Sequence, residues 1–157
     1  MKRFSKLLFL TVALLAIMLV VGACAKTPVV ENPAWMFEVG TDAVTTTTVG
    51  STEWAGTFNV NLKIVGGGDN VLFNGPIKIT TNTQWVSEVV QAAVTDKGLA
   101  QNGIDVGFIT QIGDYENNSE TNTYWLYTVN GVSPQFGVSS YQFRDGDYIL
   151  LEYKAYE

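Results

Sequence analysis

The sequence predicts an α+β fold, mostly β: a β-grasp-like mixed sheet packed on a single α-helix. Three observations carry this. Phe58, Val60, Leu62 and Ile64 alternate with Thr57, Asn59, Asn61 and Lys63, the period of a strand with one face inward. Val86, Val89, Val90, Ala93 and Val94 fall at i, i+3, i+4, i+7 and i+8, a single helical stripe. The last third, Tyr124 to Tyr153, reads as two strands joined by a structured loop. Strand, strand, helix and then more strands is the β-grasp order.

Met1 to Ala23 reads as a targeting segment. Lys2, Arg3 and Lys6 make a basic start, and Leu7 to Val21 is an apolar run suited to a signal peptide and short for a stable span. Val21-Gly22-Ala23-Cys24 has the form of a bacterial lipobox, and Cys24 is the chain's only cysteine. Acylation of Cys24 would anchor the chain outside the cytoplasm on a bacterial membrane through its N-terminal lipid. An ordinary secretory signal ending near a cysteine is the plainer alternative. Residues 24–53 are then expected to be tether and extension. Pro28 and Pro33 keep the spacer extended, Trp35 to Val39 is a possible short strand, and the Thr45 to Thr48 run fits a solvated strand or loop.

The folded domain is expected over 54–157. Gly66 to Asn70 is a flexible turn after the first strand, and no Lys-Ser/Thr follows to make it a phosphate cradle. Ile77 and Ile79 mark the second strand, with Pro76 at its start. The helix is predicted over Gln84 to Lys97, with Thr83 as N-cap and Gly98 as the stop. Its valines are poor helix formers, so the sheet must hold it. Ile104, Val106, Phe108 and Ile112 share one parity, as in a further strand. Tyr124 to Val129 carries large side chains on both faces and reads as a central strand. Asn130-Gly131 supplies the positive-φ pair of a tight turn, and Asp145-Gly146-Asp147 launches the last strand, Tyr148 to Lys154.

Composition narrows function. The chain has no histidine, so the commonest general base and transition-metal ligand are gone. One cysteine allows no intrachain disulfide. Net charge is −6, and three of the nine basic residues sit in the leader, so nucleic acid is not an expected partner. Asp145 and Asp147 fit a turn rather than a catalytic pair, and the serines have no histidine partner. The chain is expected not to be an enzyme. Asp114, Glu116, Asn118 and Glu120 alternate and carry oxygen ligands, for which calcium is the fitting ion. A hairpin tip kept polar for solubility accounts for the same residues.

Tyr124-Trp125, Asn130-Gly131, Pro134 to Gly137, Tyr141 and Asp145-Gly146-Asp147 resemble the transcobalamin-like C-terminal domain family. This β-domain ends transcobalamin and intrinsic factor and occurs in many bacterial surface proteins. The resemblance covers residues 124 to 153 and extends upstream to about Thr57. It implies a small β-rich fold with one helix, and cobalamin or another corrinoid as ligand. In the vitamin carriers a large helical domain holds the corrinoid's other side, and 157 residues leave no room for one. A helical partner domain or another surface protein would supply it.

The resemblance places the ligand edge at Pro134, Gln135, Phe136, Gly137 and Val138, with Tyr141 supporting and Trp125 in the strand beneath. Phe136 sits in a Gly/Pro-flanked loop where no core pattern requires it, and such loops carry function on rigid scaffolds. Phe136 folding back to cap the end of the sheet is the structural alternative. Two classes of function follow: a tethered small-ligand module, or a surface module recognising protein or glycan through the same aromatic loop.

Overall fold

A computed structural model describes residues 33–156. The predicted leader over 1–23, Cys24 and the spacer to residue 32 lie outside the described residues. In chain order the elements are β1 (Val44–Val49), β2 (Gly56–Val65), a 3-10 turn (Gly67–Asp69), β3 (Val71–Thr81), α1 (Val86–Asp96), β4 (Gln101–Asn102), β5 (Gln111–Ile112), β6 (Tyr115–Glu116), β7 (Thr123–Val129) and β8 (Tyr148–Ala155).

The main sheet has the order β1-β3-β2-β8-β7, and β4-β5-β6 form a small antiparallel sheet. β2 pairs antiparallel with β3 and parallel with β8, while β7 pairs antiparallel with β8. The first hairpin and the last strands thus meet at a central parallel pair, which is the predicted β-grasp arrangement. Val60, Leu62 and Ile64 of β2, Ile77 and Ile79 of β3, and Ile149 and Leu151 of β8 are buried in one core with the valine stripe of α1. Burying a valine contributes roughly 1.5 kcal/mol or more. That outweighs a propensity deficit of at most about 0.7 kcal/mol per valine, so packing holds the helix.

The start of the helix differs from expectation, and its end, at Gly98, agrees with it. The helix begins at Val86, and Trp85 is the N-cap residue. Thr83 does not cap it. Instead Glu88 turns back and accepts from the Thr81 hydroxyl at 2.8 Å, from the Trp85 N–H at 3.2 Å and from the Thr83 hydroxyl. An indole ring cannot accept a backbone N–H, so carbonyls from elsewhere in the chain complete the cap. The N–H groups of Val86 and Ser87 donate to Tyr141 O and Val138 O at 3.0 and 2.9 Å. At the other end Gly98 has φ +62; its N–H bonds Thr95 O and that of Leu99 bonds Val94 O, the paired bonds of a Schellman stop.

Upstream of Trp54 the chain already belongs to the sheet. The Thr45–Thr48 run lies in β1, parallel to β3. Trp35 to Val39, expected as a strand, is a turn followed by a non-repetitive strap. Trp35 and Phe37 meet Tyr148 edge-on at centroid distances of 5.7 and 5.2 Å. Asn74 then ties the strap down: its amide accepts from Gly40 N–H and donates to Glu38 O, both at 3.0 Å. Asp42 accepts the Asn74 N–H at 2.7 Å and an ion pair from Lys97 at 2.5 Å. Lys97 and the Asn74 N–H hold the Asp42 carboxyl below the usual carboxylate range.

Three further expectations are corrected. Pro76 lies within β3, opposite Asn61, and not at its start. Asn61 N–H points to Asp147 O, so Pro76 faces a non-bonded pair of the β2–β3 ladder and its missing N–H breaks no bond there. β7 is an edge strand rather than a central one. Its large side chains fall on both faces because other segments cover it. Finally, Ile104 to Thr110 is not a strand, and of the four residues only Ile112 lies in one, the two-residue β5. Gly103 and Gly107 have φ +85 and +84, so the segment coils: Ile104 and Ile109 are buried, while Val106 and Phe108 are exposed.

Candidate functional site

Two loops meet at the β7 side of the sheet. The first, Gly103 to Thr110, carries Phe108. The second, Gly131 to Arg144, carries the predicted ligand edge. The two-residue turn Asn130-Gly131 has φ +50 and +76, and Val129 and Val132 exchange both backbone bonds across it. This is the tight turn the sequence predicts. The Asn130 amide bridges to β8, accepting Tyr148 N–H at 2.9 Å and donating to Asp147 at 2.8 Å. Asp145 accepts Asn59 N–H and Asp147 accepts Arg144 N–H, at 2.7 and 2.8 Å, so both carboxylates fasten backbone.

The loops are joined at their glycines. A Cβ on Gly137 would overlap the Gly107 carbonyl oxygen, and Val138 N–H donates to that same oxygen at 3.3 Å. Tyr127 holds the second loop from β7, its hydroxyl donating to Phe136 O at 2.6 Å. Burial first, and the neighbouring Tyr141 second, push the Tyr127 hydroxyl up to about 12. The unfolded phenol titrates at about 10, so folding keeps a proton that the unfolded chain loses. The associated stability is whole below pH 10 or so and is lost as pH rises through 12. Ultraviolet titration is expected to show one late-ionising tyrosine, absent in Tyr127→Phe.

Between the loops lies a cleft of about 430 Å³. Gly107, Phe108 and Ile109 form one wall, Ser133, Pro134, Gln135, Gly137 and Val138 the other, and Trp125, Leu126, Tyr127 and Leu151 the floor. Tyr156 closes one end. No charged side chain lines it. Polar groups are few: the Ser133 hydroxyl, the Gln135 amide and the tyrosine hydroxyls. Such a surface accepts neutral, largely apolar matter and offers a few directed hydrogen bonds.

The structure thus brings Trp125, Pro134, Gln135, Gly137 and Val138 to one cleft and corrects two of their roles. Val138 is buried and plugs the core above α1. Trp125 is only 7% exposed, its indole N–H donates to Tyr115 O at 3.0 Å, and its ring packs on Tyr115 and Tyr153. Both are supports more than contacts. Phe136 is 64% exposed, so it does not fold back over the sheet, and unlike its neighbours Gln135 and Gly137 it is not among the residues lining the cleft. Tyr141 lies behind the loop, against Tyr127 and the helix N-terminus. Sequence reading missed Phe108 and Tyr156. Phe108, between glycine-turned backbone and equally exposed at 64%, carries the signal that singled out Phe136, an aromatic beside glycine.

The calcium alternative gains no site. Asn118 accepts Glu120 and Thr121 N–H groups in a local turn, while Asp114 and Glu116 lie exposed at the β5–β6 end. Among the described residues no three His, Cys, Asp or Glu side chains are grouped to hold a metal ion.

Fold and cleft together define a small mixed-sheet domain with an uncharged, aromatic-rimmed opening. Residues 85–155 match the family described as a domain of unknown function (DUF4430). Among solved structures the chain is similar to haptocorrin in complex with Cbi: TM-score 0.54, 18% identity, covering 65% of this chain and 26% of that one. It is also similar to a protein from Ruminococcus gnavus ATCC 29149 described as a "putative metal binding protein": TM-score 0.48, 16% identity, covering 64% and 99%. No curated protein matches the chain.

Proposed function

We propose that this chain is a non-enzymatic, lipid-anchored binding domain outside the cytoplasm that takes one side of a flat, largely apolar ligand in the cleft between Phe108 and Pro134–Val138. A corrinoid is the leading ligand class. The observation that carries this reading is the cleft itself: predicted edge residues from one loop face a second, unpredicted aromatic wall, and no charge lies between them. The haptocorrin neighbour, solved with Cbi, lends the corrinoid its support, through likeness of fold alone. A cavity of about 430 Å³ encloses only part of a corrin ring, so affinity is modest unless a helical partner covers the rest. Anchoring through Cys24 would hold the domain beside such a partner.

Calorimetry of the chain lacking residues 1–23 with cyanocobalamin tests the reading. Heat and a corrin spectral shift at micromolar to high-micromolar ligand are expected; neither at saturation would remove the corrinoid. Phe108→Ala should weaken binding about tenfold, as loss of a stacked aromatic does, and Phe136→Ala, beside the lining residues, by less. Because both rings are exposed, their removal should change stability by no more than about 0.5 kcal/mol. The second reading, recognition of a protein surface, is favoured by Val106 and Val132, exposed beside the same rim. It predicts loss of partner capture in both variants with no response to cyanocobalamin.

A further inference from the structure

A second groove, also about 430 Å³, runs between β1 and α1 on the opposite side of the sheet order from β7. Its floor is apolar: Val44, Val49, Ala92 and Ile104. Its rim is acidic, with Glu88, Asp96 and Asp105 and no basic side chain. Glu88 is occupied by Thr81, Thr83 and Trp85, but Asp96 and Asp105 are exposed and form no salt bridge among the described residues.

The two sheet edges are treated differently. β7 is covered by the bridges Asn118–Thr123 and Val129–Val132, and Asn117 accepts its Trp125 N–H at 3.0 Å. β1 pairs on one side only, with β3, and among the described residues no other backbone bonds reach it. Its register slips between Val44 and Thr47 and is regular from Thr47 to Val49. An open strand edge is a template for another strand. An apolar floor beside it takes alternate side chains, and the unpaired carboxylates select cations.

We propose that the groove between β1 and α1 docks an extended basic peptide segment, which adds to the sheet beside Thr47–Val49 and sets Lys or Arg side chains against Asp96 and Asp105. The uncharged cleft is lined by other residues of the same Gly103–Thr110 loop, Gly107, Phe108 and Ile109, so the domain has separate surfaces for a basic protein segment and a neutral ligand.

The test titrates the full chain, by amide chemical-shift mapping, with a synthetic valine–threonine peptide flanked by lysines, and with a glutamate-flanked twin. The lysine peptide should move signals of Val44–Val49 and of α1, and bind at least about tenfold more tightly than its twin. Raising salt from about 0.05 to about 0.5 M should weaken it several-fold. Asp96→Asn with Asp105→Asn should weaken it about fivefold without moving the thermal midpoint, since both groups are exposed. Equal binding of the twin overturns the proposal. So do shifts confined to Pro134–Val138, or shifts of β1 that depend on protein concentration without peptide, which would mean a second copy of the chain occupies the edge. Loss of cyanocobalamin binding bears on the other cleft alone.

Discussion

Gly103→Ala should lower the thermal midpoint by about 10 °C or more. Gly103 is buried with φ +85, where an L side chain is strained, and its Cβ would overlap the Phe108 carbonyl oxygen. Backbone strain costs about 1–3 kcal/mol and forced overpacking a similar amount. Because the clash is with backbone, no rotamer change relieves it. Gly68→Ala is the matched control. Its φ is +66, but nothing lies within 4 Å of the added carbon, so only the strain is felt, about 1 kcal/mol. Circular dichroism melts of the two variants separate clash from strain; equal shifts would show that the Gly103 turn is looser than described. The turn also sets Phe108, so a folded remnant of Gly103→Ala should bind rim ligands poorly.

The second large effect is expected at Trp125. Trp125→Ala should destabilise the domain by about 3–5 kcal/mol, the range for a buried large aromatic. It removes the ring between Tyr115 and Tyr153, opens the cleft floor and removes the indole's hydrogen bond to Tyr115 O. Trp125→Phe keeps most of the packing but still loses that hydrogen bond, for about 0.5–1.5 kcal/mol. Denaturant unfolding distinguishes the two. If Trp125 were chiefly a ligand contact, Trp125→Phe would retain stability and lose affinity, the reverse of the expected order.

The main sheet was legible because its patterns are local and redundant. β2 alternates over its whole length, and each of the five stripe residues of α1 is buried where the 3.6 period puts it. Asn130-Gly131 leaves no other turn open. What sequence could not supply are features made by contacts distant in the chain. The helix cap comes from Tyr141 and Val138 carbonyls, so Thr83, the locally plausible cap, is used instead to hold Glu88. The parity of Ile104, Val106, Phe108 and Ile112 is coincidental, since Gly107, at positive φ, and the turn around it break any pleat between them. Missing that loop meant missing half the cleft. The ligand edge itself came from resemblance, and geometry separates its exposed part, Phe136 above all, from the buried supports Val138 and Trp125.

The central pairing of β2 with β8 has a consequence for biosynthesis. β8, the last of the described strands, lies inside the sheet between β2 and β7. A nascent chain therefore cannot close its core while β8 is still inside the ribosome, and contacts of such long sequence separation form slowly. Until β8 emerges, the β2–β3 hairpin offers an unpaired flank to chaperones or to any machinery that threads unfolded polypeptide.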